Sequence, residues 1–374
     1  MTVAISAYDS VCCLGDADDT FDALLNGRAG VSALRPDRGD AQRLGVGYAY
    51  QIDEAADAHR ASRWLGQVVG AVAAKAGLDP GTQRVAVIVG TGLRELPAVE
   101  SWSQGESSTA LHQLHFAEAV RAALPGVTEV VTLSNACSAA GYALAVGSDI
   151  LAAEEADAVV VAGCDAMTES MLAAIGLGST AEITEVRPFD GRRPGVLLGE
   201  GAAAVVLQPA DQVAQPVALL RSVGLSCDAF HETAPNAGGI AVSMRDAHTR
   251  AGVTPADVDL VLAHGTGTAL NDPTEATALT EVYGESIGDV AVTAIKGATG
   301  HTSGSAALMS LIVAIQSLST GRIPAVTGLS TPIPQAARLR LVIDEPQPVN
   351  GALAQVNAFG FGGINAVTMV EVPA

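Results

Sequence analysis

Cys137 has the setting of a nucleophile. It follows a predicted strand over residues 129–133 and stands at the start of an apolar helical stretch that reaches about Ala153. A thiol in the first turn of a helix meets the positive end of the helix dipole and unpaired backbone N–H groups, which favour the thiolate. An inert, buried thiol is the alternative for any single cysteine, and it is our interpretation of the remaining four. These are Cys12, Cys13, Cys164 and Cys227.

Two histidines stand next to predicted strand ends. His264 ends an apolar strand and opens the Gly/Thr-rich run 264–268. Loops at strand ends are where α/β proteins place functional groups. His301 precedes a second apolar helix, where a neutral imidazole can donate a hydrogen bond to a developing oxyanion. Taken singly, each is better interpreted as a structural histidine, so a site depends on the elements that position them.

A glycine-rich run occupies residues 357–365 near the C-terminus. Its glycines permit backbone conformations in which N–H groups converge on one point. An oxyanion hole and a tight core turn are both open interpretations. The run lacks the spacing of a dinucleotide-binding loop, and no phosphate-binding GxxxxGK[ST] loop occurs in the chain. The sequence therefore predicts neither NAD nor ATP as a ligand.

Apolar, β-branched runs alternate with Ala-rich helical stretches, which indicates an α/β fold with buried sheets. The runs cover 84–89, 129–133, 158–162, 203–207, 260–263 and 290–295. Two segments echo each other as strand, small-residue junction and apolar helix, with Cys137 in the first and His301 in the second. This pseudo-repeat predicts that the two side chains face each other from two helix N-termini. We place the division between an N-terminal half, 1–212, and a C-terminal half, 213–374, in a proline-bracketed stretch.

The composition restricts the class of protein. Its 374 residues are 49% hydrophobic and 16% charged, which indicates a large packed interior. A formal net charge of −20 opposes binding to nucleic acid. Since no apolar stretch of about 18 residues and no basic secretory leader is present, we expect a cytoplasmic protein without a membrane partner. The five cysteines fit neither a disulfide framework nor a metal-ligand spacing, so no metal is predicted.

Taken together, the motifs resemble the β-ketoacyl synthases (ketosynthases) of fatty-acid and polyketide assembly, in their stand-alone (type II) form. The resemblance covers about residues 3–371 and rests on five motifs in order. They are Asn135-Ala136-Cys137-Ser138; Arg187-Pro188-Phe189-Asp190 leading to Gly199-Glu200-Gly201-Ala202; His264 to Thr268 with Asn271, Asp272 and Glu275; Lys296 followed by Gly300-His301; and Phe359 to Gly363 with Asn365. This resemblance implies a thiolase-like α/β fold of two pseudo-symmetric halves in a layered αβαβα arrangement.

The resemblance also implies roles for the central residues. Cys137 would accept an acyl group from a carrier-protein thioester, which divides one hard exchange into two easier ones. His264 and His301 would hold the thioester carbonyl of the malonyl extender while CO₂ leaves. Lys296 would support the decarboxylation histidine, and Glu275 would organise the network. The Cys-His-His set is typical of elongating enzymes.

Further site residues come from the same resemblance. The backbone N–H groups of Cys137 and Phe361 would form the oxyanion hole. Phe361, with Phe359, would form the gate between acyl pocket and tunnel, and Thr266 and Thr268 would line the phosphopantetheine tunnel. No cofactor is implied, because the substrates arrive on the phosphopantetheine of an acyl carrier protein.

Two kinds of protein partner are implied. The acyl carrier protein is expected to dock on a basic patch at Arg60 and Arg63. Weaker candidates for docking are Arg192, Arg193, Arg245 and Arg250. The family dimerises through the sheet that leads into the cysteine helix, which predicts a homodimer or a heterodimer with a chain-length-factor homologue.

The function implied is that of a β-ketoacyl-[acyl carrier protein] synthase performing decarboxylative Claisen condensation in fatty-acid or polyketide/secondary-metabolite biosynthesis, with the second setting favoured over the first. Two alternatives stay open. One is a ketosynthase-like acyltransferase that forms an ester or amide without decarboxylation, and the other is a non-catalytic partner subunit. Acylation of Cys137 separates the enzymes from the partner subunit, and CO₂ release separates the two enzymes.

Overall fold

The computed structural model describes residues 2–55, 57–179 and 181–373. Its strands are β1 Val3–Cys12, β2 Gly15–Asp16, β3 Val31–Ala33, β4 Tyr48–Tyr50, β5 Val85–Gly90, β6 Glu129–Leu133, β7 Ala158–Asp165, β8 Gly201–Pro209, β9 Ala218–Cys227, β10 Leu260–Leu262, β11 Ala291–Thr293, β12 Arg322–Ile323, β13 Arg340–Leu341, β14 Gln347–Pro348, β15 Leu353–Gly360 and β16 Ile364–Glu371. Its α-helices are α1 Ala17–Leu25, α2 Ala41–Leu44, α3 Arg60–Ala76, α4 Leu96–Ser103, α5 Ala117–Ala123, α6 Ala139–Ala152, α7 Glu169–Gly178, α8 Ala237–Ala251, α9 Asn271–Tyr283, α10 Lys296–Thr299 and α11 Ala306–Thr320.

The long sheet repeats one topology on either side of a central joint. Its strand order is β13-β11-β10-β15-β16-β9-β1-β8-β7-β5-β6, and β1 meets β9 only through Val3–Ile5 against Ala218–Leu220. Outward from this joint, each half has two antiparallel pairings followed by two parallel ones, and the C-terminal half adds a third parallel pairing, of β11 with β13. The predicted pseudo-symmetric halves are therefore confirmed. The predicted division after residue 212 falls in the connection between β8 and β9.

The helices form layers around the folded sheet. Helices α6 and α11 lie between the two half-sheets, whereas α3 covers the outer face of the N-terminal half and α8 that of the C-terminal half. This is the predicted αβαβα arrangement. A helix that is apolar on all sides needs burial on all sides, and each residue from Ala306 to Leu318 is buried. The segment Ser303–Thr320 is long and apolar enough to cross a membrane, but 83% of it is buried inside the protein, as in a core helix.

Both central helices start from the same unusual turn. Ala136 has φ 50° and Ser303 has φ 49°, and each stands three residues before its helix, α6 or α11. A left-handed conformation costs a non-glycine residue roughly 1 kcal/mol or more, so the surrounding fold must enforce it at both junctions. The match pairs Cys137 with Gly304. His301 lies three residues before that position, so it faces Cys137 as predicted but does not lie at the start of α11.

Candidate active site

The thiol of Cys137 meets the imidazole of His301 between the two halves. Cys137 lies in a short 3-10 turn, Ala136–Ser138, that joins β6 to α6. Its Sγ is 2.9 Å from Nε2 of His301. That distance allows a proton to pass between sulfur and nitrogen, which is the geometry of a nucleophile and its base.

The backbone of His301 fixes where its ring stands. Its N–H donates to the carbonyl of Leu197 at 2.9 Å, and its carbonyl accepts from Gly199 N–H at 3.0 Å. These bonds form a parallel bridge, so His301 lies in extended chain ahead of α11 rather than at the helix N-terminus that the sequence predicted. Its buried Nδ1 has no hydrogen-bond partner among the described residues.

His264 lies beside His301. Its ring stands edge-on to that of His301, with centroids 5.4 Å apart. Lys296 Nζ lies 3.3 Å from His264 Nδ1 and also donates to the His264 carbonyl. Because an ammonium group only donates, Nδ1 must accept, and the proton of a neutral His264 is then on Nε2. This tautomer makes His264 a hydrogen-bond donor.

Glu275 holds the backbone from which His264 projects. The carboxylate lies on α9 and is completely buried. It accepts from the N–H of His264 at 2.7 Å and of Gly265 at 2.9 Å. The amide side chain of Asn357 donates to it at 2.9 Å. These hydrogen bonds hold the carboxylate against the loop that carries His264 and so fix the position of that loop.

Both active-site histidines are neutral at physiological pH. Burial lowers the pKa of His264 and of His301 well below the usual value, and the charge of Lys296 lowers both further. Burial also lowers the pKa of Lys296 to about 8, although Glu275 opposes this shift. At pH 7 the site therefore contains one ammonium beside two neutral imidazoles.

The protonation state of Cys137 corrects the sequence prediction. Burial raises the pKa of its thiol to about 11, and the nearby Lys296 charge only partly offsets this effect. The helix-start position had predicted the opposite direction. Desolvation therefore outweighs the helix end here, because a thiolate in this half-buried turn loses much of its hydration. The resting residue is a thiol, and its proton must leave as the substrate carbonyl arrives.

Comparison with known families decides the classification. Residues 1–213 match "Beta-ketoacyl synthase, N-terminal domain". Residues 217–330 match "Beta-ketoacyl synthase, C-terminal domain". The chain belongs to the β-ketoacyl synthase family.

Individual relatives agree with that membership. The chain is similar to nodulation protein E of Rhizobium meliloti, at 32% identity over 282 residues, 74% of this chain and 66% of that protein. It is 28% identical to 3-oxoacyl-[acyl-carrier-protein] synthase 2 of Coxiella burnetii over 258 residues, 64% of this chain and 61% of that protein. The matched part thus spans just under two thirds of the length of these curated relatives.

A solved structure supports the fold of this β-ketoacyl synthase family member over its full length. The chain superposes on "The ishigamide ketosynthase/chain length factor" with a TM-score of 0.89 and 27% identity, covering 100% of this chain and 99% of that one. The predicted thiolase-like fold is confirmed.

The predicted tunnel and gate residues lie in the loop that follows His264 and in the glycine-rich turn after β15. Thr266 and Thr268 have hydroxyl oxygens 3.0 Å apart, with Thr266 buried and Thr268 half-buried. The ring of Phe359 is 5.5 Å from that of His264. Phe361 is 56% exposed in the turn after β15, and the preceding Gly360 packs against the Cys137 turn. Of these four residues, Phe359 contacts His264 directly, whereas Thr266 and Thr268 follow His264 in the same loop and Phe361 lies at the surface.

Sequence reasoning missed Asp165, the last residue of β7. Its buried carboxylate accepts from the Thr91 hydroxyl at 2.7 Å and from the N–H groups of Gly92 at 2.8 Å and Gly304 at 2.6 Å. It thereby ties the N-terminal half-sheet to the turn before α11. An acidic residue ending an otherwise apolar strand was the available signal.

The structure overturns the docking role of Arg60. This residue is 5% exposed, and its Nε donates to the buried Glu200 carboxylate at 2.8 Å. Arg63 is partly exposed but pairs with Glu54 and Asp57 of its own chain. Arg60 therefore has a structural role, because a buried guanidinium cannot meet another protein.

Proposed function

We propose that this chain is a β-ketoacyl-[acyl carrier protein] synthase, which condenses malonyl-carrier with an acyl chain held on Cys137 and releases CO₂. The observation that carries this proposal is the contact of 2.9 Å between Cys137 Sγ and His301 Nε2, beside a second neutral histidine. A nucleophile with a base and an adjacent hydrogen-bond donor can both accept an acyl group and stabilise an enolate.

The first step is acyl transfer to Cys137. As Sγ attacks the thioester carbonyl, His301 Nε2 takes the thiol proton, and the C–S bond to the carrier's phosphopantetheine then breaks. The same proton passes to the departing pantetheine sulfur, so no net charge is left in the site. We assign the oxyanion to the backbone N–H groups of Cys137 and Phe361. The Cys137 pKa of about 11 favours this concerted proton transfer over a preformed thiolate.

The second step is decarboxylative condensation. His264, protonated on Nε2, donates to the thioester oxygen of the malonyl group, with His301 on its other side. The bond to the carboxylate breaks, CO₂ leaves, and the electron pair forms an enolate. The enolate carbon attacks the acyl carbonyl, the C–S bond to Cys137 breaks, and the thiolate takes up a proton that water supplies through His301 Nε2. Donors in a dry site stabilise the enolate strongly, and the Lys296 ammonium adds a fixed positive charge.

We propose that the carrier docks at Arg192 and Arg193 rather than at Arg60. The Arg193 Nε donates to the carbonyl of Thr268 at 2.9 Å, next to the tunnel threonines. The side chain of Arg192 is 73% exposed. Opposite charges at a rim chiefly raise the rate of association, which suits a transient visit by an acidic carrier. The prosthetic arm would then enter past Thr266 and Thr268, and no further cofactor is needed.

We propose that β6 is the dimer contact. It forms one end of the long sheet, and its last four residues are only half-buried. An exposed edge strand of this kind is a ready partner for another strand. The second chain is either a copy of this one or a chain-length-factor homologue, and a related structure carries the description "ketosynthase/chain length factor". Polyketide or other secondary metabolism in the cytoplasm is the setting that we propose.

Intact-mass spectrometry of enzyme and carrier tests the activity. The protein is mixed with acyl-loaded carrier, then with malonyl-loaded carrier, alone and with any partner subunit, beside a Cys137→Ala control. We expect an acyl adduct on the wild type that moves to the carrier as a β-ketoacyl product, and none on the variant. An adduct that persists after malonyl-carrier is added would indicate the ester- or amide-forming acyltransferase. No adduct with any primer or partner would indicate the non-catalytic subunit.

A further inference from the structure

His301 is held by a short ladder of three chain segments. Its backbone pairs with Leu197 and Gly199. On the other side of that segment, Tyr50 N–H donates to the Leu198 carbonyl at 3.0 Å, and Glu200 N–H donates to the Tyr50 carbonyl at 3.1 Å. The segment 197–200 therefore lies between His301 and strand β4 and is hydrogen-bonded to both.

The approach of these segments is very close. A Cβ atom on Gly199 would lie 2.3 Å from the Thr299 carbonyl oxygen, which real Cβ atoms do not tolerate. A shift of the middle segment would therefore be transmitted directly to the chain that carries His301. No hydrogen bond from the described residues fixes the ring at its buried Nδ1, so the backbone ladder sets where the imidazole stands.

The middle segment ends in a buried ion cluster. The carboxylate of Glu200 is completely buried between two arginines. Arg38 donates to it from Nη2 at 3.2 Å and from Nε at 3.3 Å, and Arg60 donates from Nε at 2.8 Å. Arg38 also binds the Glu54 carbonyl, and Arg60 binds the Met167 carbonyl. The cluster thus ties the end of the segment to distant parts of the N-terminal half.

We propose that Glu200, clamped by Arg38 and Arg60, is a positioning residue for His301. It fixes the backbone ladder from which the imidazole reaches Cys137. A buried ion cluster adds little net stability compared with an apolar one, so its use here is to set register. This inference rests on the proposed function only where it predicts an effect on condensation, because the contact between Cys137 and His301 exists without substrate.

Alkylation of Cys137 by iodoacetamide is the test, since it reports on the thiol without carrier or condensation. We expect Glu200→Gln to slow alkylation at pH 7 about 10-fold and to move its pH profile upward, because a misplaced His301 no longer receives the thiol proton. The groups that face the pair from other elements, Lys296, His264 and Asp165, are unchanged in this variant. Condensation is expected to fall by about 10- to 100-fold.

A double-mutant cycle separates positioning from general damage. In a His301→Ala background, Glu200→Gln is expected to change the alkylation rate less than about twofold, because its effect runs through the missing ring. An equal slowing in both backgrounds would overturn the proposal. So would an unchanged rate and profile in the single variant.

Two further variants keep the test decisive. If Glu200→Gln does not fold, Arg60→Lys replaces it, because this variant retains the buried positive charge. We expect Arg60→Lys to slow alkylation of Cys137 a few-fold, and to have no effect in the His301→Ala background. An unchanged alkylation rate in Arg60→Lys would overturn the proposal. Asp259→Asn is the matched control, because Asp259 caps the Ala352 and Leu353 N–H groups at the start of β15. An equal slowing in this control would overturn it too. If Glu200→Gln shifts the pH profile of Cys137 alkylation but the wild type performs no condensation, the proposed function is refuted and the positioning role of Glu200 is not.

Discussion

The two junctions that start the central helices share a turn but differ in content. Between β6 and α6 lie only residues 134–138, whereas residues 294–305 separate β11 from α11. Each junction has its left-handed residue, Ala136 or Ser303, three positions before the helix. The longer junction accommodates the extra turn α10, which carries Lys296, and the extended stretch that carries His301. The scaffold is thus duplicated, and the C-terminal junction adds to it the side chains of Lys296 and His301.

Charge separates the two junctions as well. The N-terminal junction provides an uncharged thiol whose pKa burial raises to about 11. The C-terminal half contributes the ammonium of Lys296, the carboxylate of Glu275 and both histidines. A neutral nucleophile and a charged, donor-rich partner therefore meet at the interface, and neither half contains a complete site.

Replacement of His301 should have the largest effect on activity, because it removes the contact between the two halves at Cys137. His301→Ala removes the base beside Cys137 and the imidazole that stands edge-on to His264. We expect condensation to fall by about 100- to 10,000-fold, since a positioned acid-base group contributes about that much. Initial rates of CO₂ release with acyl- and malonyl-carrier measure it. A loss under tenfold would contradict the assignment of His301 as base.

Lys296→Met tests the charge on the C-terminal side. The folded-state pKa of Lys296, about 8, lies below its usual 10.5, so between these pH values the unfolded chain binds a proton that the folded chain lacks. The wild type should therefore gain stability relative to the variant as pH rises from 8 to 10.5, by about 2–3 kcal/mol. Urea unfolding at several pH values measures it. If the free energies of unfolding of the wild type and the variant changed in parallel with pH, the pKa of Lys296 would not be lowered in the folded protein.

Gly304→Ala asks whether the C-terminal junction could hold a side chain where the N-terminal one holds Cys137. A Cβ at Gly304 would lie 2.4 Å from the Cα of Thr91, and backbone cannot yield easily. We expect a loss of about 1–3 kcal/mol in the free energy of unfolding. Gly288→Ala, which has open space, is the matched control. Equal effects in the two variants would contradict the steric account.

The smallest effect on stability is expected for Phe361→Ala. More than half of the ring is exposed, so the free energy of unfolding should change by less than about 0.5 kcal/mol. A gate between pocket and tunnel would nonetheless alter turnover. We expect condensation to change several-fold while thermal unfolding does not, and unchanged kinetics for acyl chains of several lengths would remove the gate assignment.

Much of the scaffold is local and could be predicted from the sequence. The runs at 129–133, 158–162 and 203–207 fall within β6, β7 and β8, because buried strands are continuous apolar segments. Cys137, His264 and Lys296 follow the ends of β6, β10 and β11, respectively, within four residues. Their clustering was predicted from the family resemblance rather than from periodicity.

The rest depends on contacts between distant segments. Arg60 looks like a surface cation at the start of a helix, and nothing local reveals that Glu200, 140 positions away, buries it. The pKa of Cys137 similarly depends on desolvation by both halves, which outweighs the local helix start. The exact placement of His301 required the extended bridge to Leu197 and Gly199, since the pseudo-repeat alone would have put Gly304 opposite the thiol.

A single-turnover, rapid-quench experiment on His264→Ala tests most directly whether His301 serves acyl transfer to Cys137 and His264 serves decarboxylation. Acyl-Cys137 and CO₂ are quantified in the same samples, first with acyl-carrier and then with malonyl-carrier. Because His264 contacts the His301 ring and Lys296 but Cys137 binds His301, acyl-Cys137 should form within a few-fold of the wild-type rate while CO₂ release falls by about 100-fold or more. Loss of both steps to the same extent, or CO₂ release at the wild-type rate, would contradict the account.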